Sequence, residues 1–332
     1  MNKKLSTGLK FAAFLLLTAL LLWFSFRKAD MAQLWQGVKS AHYGWVILTV
    51  IIGVFAYFIR AQRWRLLINP LGYKPSLGAV YNAVVIGYFA NLLFPRLGEV
   101  ARCGTLNKSD KIPFDKLVGT VVVERVFDLI CLIVVVLATF FLRIESFGKF
   151  LRENLLQKIA GENYFSLIVA VVAALVAFAV VLFSLWYFRK KLIRHSPVKK
   201  AWSFVKGIGD GLKSFAAMRH RGQFLLHSVL LWGSYWLMAW LALYAIPATA
   251  QLGPVDGLVV MVLGSFGIIA PTNGGLGAYH AITSIGMFAI FGIPENDGLL
   301  YATISHESQM LFMIILGLVA YVQLFFAKKK LQ

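Results

Sequence analysis

The chain alternates between long apolar runs and short polar stretches. A helix needs roughly 20 predominantly apolar residues to cross a bilayer, and most of the apolar runs approach that length. Helices suit this environment because they satisfy their backbone hydrogen bonds internally. The pattern predicts an all-α integral membrane protein whose apolar segments lie at about 9–26, 45–59, 76–94, 117–142, 164–188, 223–246, 255–270, 278–292 and 299–326.

Two polar interruptions, residues 91–102 and 270–280, break this pattern. The first places a proline, a glycine, two arginines and a glutamate after an apolar run. The second places three glycines between two short apolar segments. Bare backbone groups and charges are both costly in hydrocarbon, so neither stretch suits a lipid-exposed helix. We expect both to be tips of re-entrant, broken-helix hairpins that face each other across the membrane and form the working site.

The distribution of basic residues sets the expected orientation. Of the 33 Lys and Arg residues, 25 fall on one side if segment 76–94 enters and leaves the membrane on that side. Basic residues collect in cytoplasmic loops, and a full crossing by 76–94 would instead export the basic stretch 189–222. We therefore expect a multi-pass protein of the bacterial cytoplasmic (inner) membrane with both termini in the cytoplasm. No small-residue cleavage site follows the first apolar run, so it is expected to remain as an uncleaved span.

The order of elements then repeats with inverted orientation. Each half reads as two spans, a re-entrant hairpin and a span, which is typical of many transporters. The predicted fold is about six full transmembrane helices plus two re-entrant hairpins in a single membrane domain, residues 1–332. The half-repeats run at about 9–142 and 164–326, and 189–222 is a basic cytoplasmic linker inside the second. Full crossings by 76–94, 255–270 and 278–292 are the alternative.

Composition agrees with this class and excludes others. The residues are 59% hydrophobic and 14% charged, whereas soluble domains carry roughly 25% charged residues. The net charge of +19 would suggest nucleic acid in a soluble protein. Here the loop bias accounts for it, and no nucleic-acid partner is expected. Cys103 and Cys131 show no paired Cys/His spacing, so neither disulfides nor a metal site are predicted. No catalytic or nucleotide-binding motif is present, which predicts no cofactor and makes an enzyme the less favoured class.

The charges of the first break and of segment 117–142 are candidates for a headgroup site. Arginine presents a planar fork that fits phosphate oxygens, and a broken helix adds free N–H donors. Glu124 and Asp128 are four residues apart and share a helix face, with Asp128 roughly 16 Å along the helix. The structural alternative is a solvated loop, or ion pairs between these acids and Arg96 or Arg102. The candidate substrate-binding residues here are Asn91, Pro95, Arg96, Gly98, Glu99, Arg102, Glu124, Arg125 and Asp128.

The second break supplies a different chemistry. Glycine permits positive φ and close backbone approach, so Gly274, Gly275 and Gly277 predict either a tight turn or a set of exposed N–H groups, with Asn273 lining an outer cavity. Three titratable residues follow, and we expect them to lie close together and to sense or carry a proton. The alternative is satisfied structural histidines. These proton-coupling candidates are His280, His306 and Glu307.

Four stretches together resemble the lysylphosphatidylglycerol synthase transmembrane-domain family, also called the flippase-like YbhN/AglD-type family. They are residues 60–65 (RAQRWR), 94–102 (FPRLGEVAR), 124–128 (ERVFD) and 271–277 (PTNGGLG). The resemblance covers roughly 9–326 and implies that Pro95 and the arginines, acids and glycines of the last three stretches are the functional core. Members usually carry an acidic residue where His280 stands and an arginine near His306. The soluble aminoacyl-transferase domain of some members is absent here, so synthesis is not implied.

These observations together predict a lipid translocase that works without ATP. Its partner would be a membrane phospholipid or lipid-linked substrate with an anionic or phosphate-linked headgroup. Homo-oligomerisation is left open. One rival is an integral-membrane transferase that uses Glu99, Glu124 and Asp128 as base or metal ligands. The other is a non-transporting accessory subunit whose charges serve packing.

Overall fold

The part of the chain that the computed structural model describes comprises residues 3–94, 97–143 and 218–329, and it is all-helical, without a strand. This confirms the predicted all-α class for these residues. The segment 164–188 and nearly all of the basic linker lie outside the described residues. The described α-helices are α1 (Lys3–Phe26), α2 (Met31–Ser40), α3 (Tyr43–Ile68), α4 (Leu77–Leu93), α5 (Gly98–Asp110), α6 (Phe114–Leu142), α7 (Arg221–Leu243), α8 (Pro254–Ile269), α9 (Ala278–Phe291) and α10 (Glu295–Lys329).

The chain divides into two compact units, residues 1–139 with 219–332, and residues 140–218. Only 140–143 and 218 of the second unit are described. All contacts given below lie within the first unit. Its apolar core lies between α2, α3, α7, α8, α9 and α10, around the fully buried Leu243, Met287 and Tyr301.

Two helix starts follow local capping chemistry. The Asp30 carboxylate accepts the backbone N–H groups of Ala32 (2.9 Å) and Gln33 (3.0 Å) at the start of α2. At the start of α4, the Ser76 hydroxyl accepts the N–H of Ala79. Such caps satisfy donors that the first helical turn leaves unpaired, so they fix where each helix begins.

Two helical hairpins, α4–α5 and α8–α9, bend at the two breaks found in the sequence. In the first, a Cβ on Gly87 would lie 2.9 Å from the Gly98 carbonyl oxygen, so only glycine allows this approach. In the second, a Cβ on Gly267 of α8 would lie 2.5 Å from the Tyr279 Cα of α9. The hairpin tips touch, because the Asn273 amide nitrogen donates to the Leu93 carbonyl at 3.4 Å.

The helices differ from the predicted segments in three places. The first is α2, a short amphipathic helix between the first two predicted apolar segments, where no segment was predicted. The second is α3, which continues to Ile68, although the apolar pattern predicted an end near residue 59. The third concerns length: among the described helices, four stretches are long and apolar enough to cross a membrane, namely Tyr43–Leu71, Arg221–Leu243, Asn273–Phe291 and Glu295–Leu324. The third of these makes the α9 limb longer than the predicted re-entrant segment.

Candidate functional site

A buried cluster of ion pairs joins α3, α5 and α6. Its centre is Glu124 of α6, whose side chain is 0% exposed. Arg60 of α3 donates Nη1–H to Glu124 Oε1 at 2.5 Å, and Arg102 of α5 donates Nη1–H to Oε2 at 3.0 Å. One carboxylate therefore holds two helices to α6 through its two oxygens. The pairing of Glu124 with Arg102 is one of the structural arrangements that the sequence had left open.

Asp128 extends the cluster by one helical turn. Its Oδ1 accepts from Arg63 at 2.5 Å, and its Oδ2 accepts from Arg60 at 3.2 Å. Arg60 and Arg63 are three residues apart on α3, while Glu124 and Asp128 are four apart on α6, so both pairs lie on single helix faces. The Trp64 indole N–H donates to the Thr120 hydroxyl at 2.8 Å and aligns the two helices further.

Positive charge exceeds negative charge in the cluster by one. Four arginines (Arg60, Arg63, Arg102 and Arg125) surround three carboxylates (Glu99, Glu124 and Asp128). The Arg102 side chain is 4% exposed. Among the described residues, its Nε and Nη2 donors have no hydrogen-bond partner. Buried unpaired donors and an uncompensated cation are both costly, so the cluster is complementary to an anion.

A cavity of about 690 Å³ adjoins this cluster. One part of its wall is formed by the cluster residues Arg60, Glu99, Arg102, Arg125 and Asp128. Another part is formed by the second break. The rest combines methionine and leucine side chains with ring, hydroxyl and amide groups, among them Tyr57, Tyr88, Tyr235, Tyr279, Tyr301, Thr49, Ser305 and Gln309. This volume fits a lipid headgroup or another small molecule.

The predicted residues of the first break have distinct positions. Asn91 lines the cavity, and its side-chain oxygen accepts the Gly98 N–H at 2.7 Å, so it caps the start of α5. Glu99 and Arg125 are half-exposed and lie 3.5 Å apart. Pro95 and Arg96 lie outside the described residues, and their expected roles stay predictions.

The residues of the second break divide between lining and support. Gly274 and Gly275 line the cavity, both with positive φ. Asn273 is outside the lining and links the two hairpin tips instead. Gly277 (φ +77°) packs against α1, where a Cβ would lie 2.6 Å from the Leu22 backbone nitrogen. Asn273 and Gly277 therefore hold the second break in position and do not line the cavity.

The three titratable residues after the second break converge on one point. His280 Nε2 lies 3.4 Å and His306 Nδ1 lies 3.3 Å from the same oxygen, Glu307 Oε1. His306 Nε2 lies 2.9 Å from the Gly274 carbonyl oxygen. Both histidines are buried, and His306 also lines the cavity. The expected proximity of these residues is therefore present, through the packing of α9 on α10.

Arg60 and Arg63 are not among the predicted site residues, because they follow the apolar segment predicted to end near residue 59. They are instead buried inside α3. The sequence signal for these two arginines was their spacing of three residues next to an apolar run. This spacing places both on one helix face, as the spacing of four does for Glu124 and Asp128. Tyr235, which accepts from Arg60 at 3.1 Å, offered no comparable signal.

Comparison with known proteins gives one family. The model described as the lysylphosphatidylglycerol synthase TM region matches residues 11–317. The UPF0104 membrane protein MJ1595 of Methanocaldococcus jannaschii is 36% identical over 87 residues, which are 25% of this chain and 26% of that protein. Glycosyltransferase AglD of Haloferax volcanii is 31% identical over 117 residues, 35% of this chain and 19% of that protein.

The chain thus matches only about a quarter and a fifth of the lengths of these two relatives. No solved structure matches it. The family model, in contrast, covers the charge cluster, both breaks and the histidines. This multi-pass membrane protein therefore belongs to the lysylphosphatidylglycerol synthase TM-region family.

Proposed function

We propose that this chain is a flippase-like lipid translocase that moves an anionic or phosphate-linked lipid headgroup across the cytoplasmic membrane without ATP. The observation that carries the proposal is the cavity whose wall holds Arg102, a buried arginine with free donors in a cluster with one surplus positive charge. A phosphate bound in the cavity would neutralise this surplus positive charge. Arginine suits this role because its rigid fork matches phosphate oxygens.

The rest of the cavity wall fits the remainder of a headgroup. Tyrosine rings and hydroxyl groups offer both apolar contact and hydrogen bonds, so they accommodate glycerol-like or sugar-like groups. The acyl chains would stay in the bilayer while the headgroup passes between the arginine cluster and the second break. In this scheme His280, His306 and Glu307 lie beside the path, next to Gly274.

The topology that goes with this function is the inverted repeat. We place six full spans and two re-entrant hairpins in the membrane, with both termini in the cytoplasm and the α4–α5 and α8–α9 hairpins in equivalent positions. Touching hairpin tips support this arrangement, since the breaks of inverted-repeat transporters meet near the midplane. Rocking of one half against the other would open the cavity to each side in turn.

A second candidate is a lipid-handling module for glycosyl transfer. It is favoured by the similarity to Glycosyltransferase AglD, which extends over 117 residues. In that case the cavity would hold a lipid-linked substrate while another protein or domain performs the chemistry. Binding of the lipid without movement between leaflets would favour this candidate.

Reconstitution into vesicles tests the main proposal. Purified protein in liposomes should speed the transfer of short-chain fluorescent phosphatidylglycerol between leaflets, measured by quenching from outside. Arg102→Gln should slow this at least about tenfold, the factor that corresponds to a loss of about 1.4 kcal/mol. Lys108→Gln is the matched control, because Lys108 is exposed on the same helix and outside the cavity lining. No protein-dependent transfer of any anionic or polyprenyl-phosphate lipid, or equal rates in both variants, would refute the proposal.

A further inference from the structure

We propose that His280, His306 and Glu307 bind a divalent transition-metal ion, with Zn²⁺ as the best fit. Nitrogen from two imidazoles with one carboxylate oxygen is a set that binds Zn²⁺ and similar ions. One ligand atom from each of these residues lies within 4.8 Å of the others. This site is distinct from the arginine cluster and does not depend on the proposed translocation.

The distances to Glu307 Oε1 fit two ligands of one metal. Bonds of about 2.0–2.1 Å in a tetrahedral site place neighbouring ligand atoms about 3.3–3.4 Å apart. His306 Nδ1 and His280 Nε2 lie 3.3 Å and 3.4 Å from Oε1. A charge-assisted N–H···O bond would instead be about 2.7–2.9 Å long. The spacing is thus too wide for strong hydrogen bonds and suits an ion between the three groups.

The hydrogen bond on the far side of His306 sets its tautomer. The Gly274 carbonyl oxygen can only accept, so Nε2 of His306, 2.9 Å away, carries the hydrogen. In this tautomer the Nδ1 lone pair of His306 faces Glu307 Oε1 at 3.3 Å, so a metal ion between them would have both atoms as ligands. A backbone carbonyl behind a ligating imidazole is the usual support of a metal-bound histidine.

Packing holds the ligands in place. Tyr279 stacks on His306 with ring centroids 4.6 Å apart, and Phe26 lies 5.5 Å from His280. His280 is 1% exposed. The Nδ1 atom of His280 has no hydrogen-bond partner within the described part of the chain. We therefore expect His280, which would bind the metal through Nε2, to be the weaker of the two imidazole ligands. Three protein ligands leave the fourth position open, and the cavity reaches the site at His306.

Metal analysis of the purified protein tests this site. Full-length protein in detergent is stripped with a chelator, loaded with Zn²⁺ or Co²⁺ and passed through gel filtration before elemental analysis. We expect about one tightly held ion per chain, and Co²⁺ should give the intense visible absorption of a tetrahedral site. Glu307→Gln and His306→Gln should lower the affinity at least about tenfold. His227→Gln is the control, because its ring bonds Gln223 and Gln62 away from the cluster.

A gain-of-signal variant guards against misfolding of the loss variants. His280→Cys should add a near-ultraviolet thiolate-to-Co²⁺ charge-transfer band, which only direct ligation produces. The proposal is overturned if stripped wild type holds less than about a tenth of an ion per chain after loading. It is also overturned if monodisperse Glu307→Gln binds metal as wild type does, or if the cysteine variant binds Co²⁺ without the new band. The three side chains would then hold protons alone, as the sequence led us to expect.

Discussion

The centre of the charge cluster should be the most sensitive single position for stability. Glu124→Gln keeps the size of the side chain and removes one charge that Arg60 and Arg102 contact at 2.5 and 3.0 Å. The buried surplus of positive charge then rises from one to two. Removing one partner of a buried pair costs about 3–5 kcal/mol, because the other charge stays buried without compensation. At about 2 °C per kcal/mol for a chain of this size, the apparent melting midpoint should fall by about 6–10 °C.

The assay is thermal unfolding of detergent-purified protein, followed by tryptophan fluorescence and by the fraction that remains monodisperse on gel filtration. Membrane proteins often unfold irreversibly, so all variants are heated at one rate and compared as apparent midpoints. Glu99→Gln is the matched control. Glu99 is 36% exposed and lies 3.5 Å from a half-exposed arginine, so its loss should cost less than about 1 kcal/mol.

A double variant separates charge balance from the loss of a side chain. Glu124→Gln combined with Arg102→Gln returns the surplus to one, so it should be more stable than Glu124→Gln alone. The coupling should be about 1–3 kcal/mol. The reasoning is refuted if Glu124→Gln melts within about 1 °C of wild type, or if the two substitutions add without coupling.

Two further pairs of variants test backbone packing at the breaks. Gly277→Ala should lower the melting midpoint strongly, because its Cβ would lie 2.6 Å from the Leu22 backbone nitrogen at φ +77°. Gly292→Ala is the control: its φ is +69° but the space around it is open, so it should cost only about 1–2 kcal/mol of backbone strain. Equal melting midpoints of the two variants would contradict the packing of Gly277 on α1. Gly98→Ala should destabilise the first hairpin because its Cβ would overlap the Gly87 carbonyl, while Gly104→Ala on the same helix meets nothing within 4 Å and should be neutral or slightly stabilising. Chymotrypsin cleavage in detergent should rise for the first of these and not for the second.

Part of the site could be predicted from the sequence because it depends on local spacing. Glu124 and Asp128 share a face whatever surrounds them, and three glycines in four positions predict a turn in any context. The partners of these residues could not be predicted in the same way. Arg60 is 64 positions before Glu124, and His280 is 26 before His306, so their contacts depend on how helices pack. This separation also explains why no metal site was expected from residue spacing.

For the described residues, the sequence by itself determined where the long apolar helices lie and where the two breaks interrupt them. A long apolar run in hydrocarbon forms a helix, because a helix satisfies its backbone hydrogen bonds internally. A stretch that combines proline or glycine with charged residues does not continue such a helix in contact with lipid. Only the tertiary structure decided that α3 carries its arginines inward. An apolar pattern ends where charges begin, yet a helix continues when those charges find buried partners. The same reason applies to the cavity. Its surplus positive charge and the unpaired donors of Arg102 result from how the helices pack against each other.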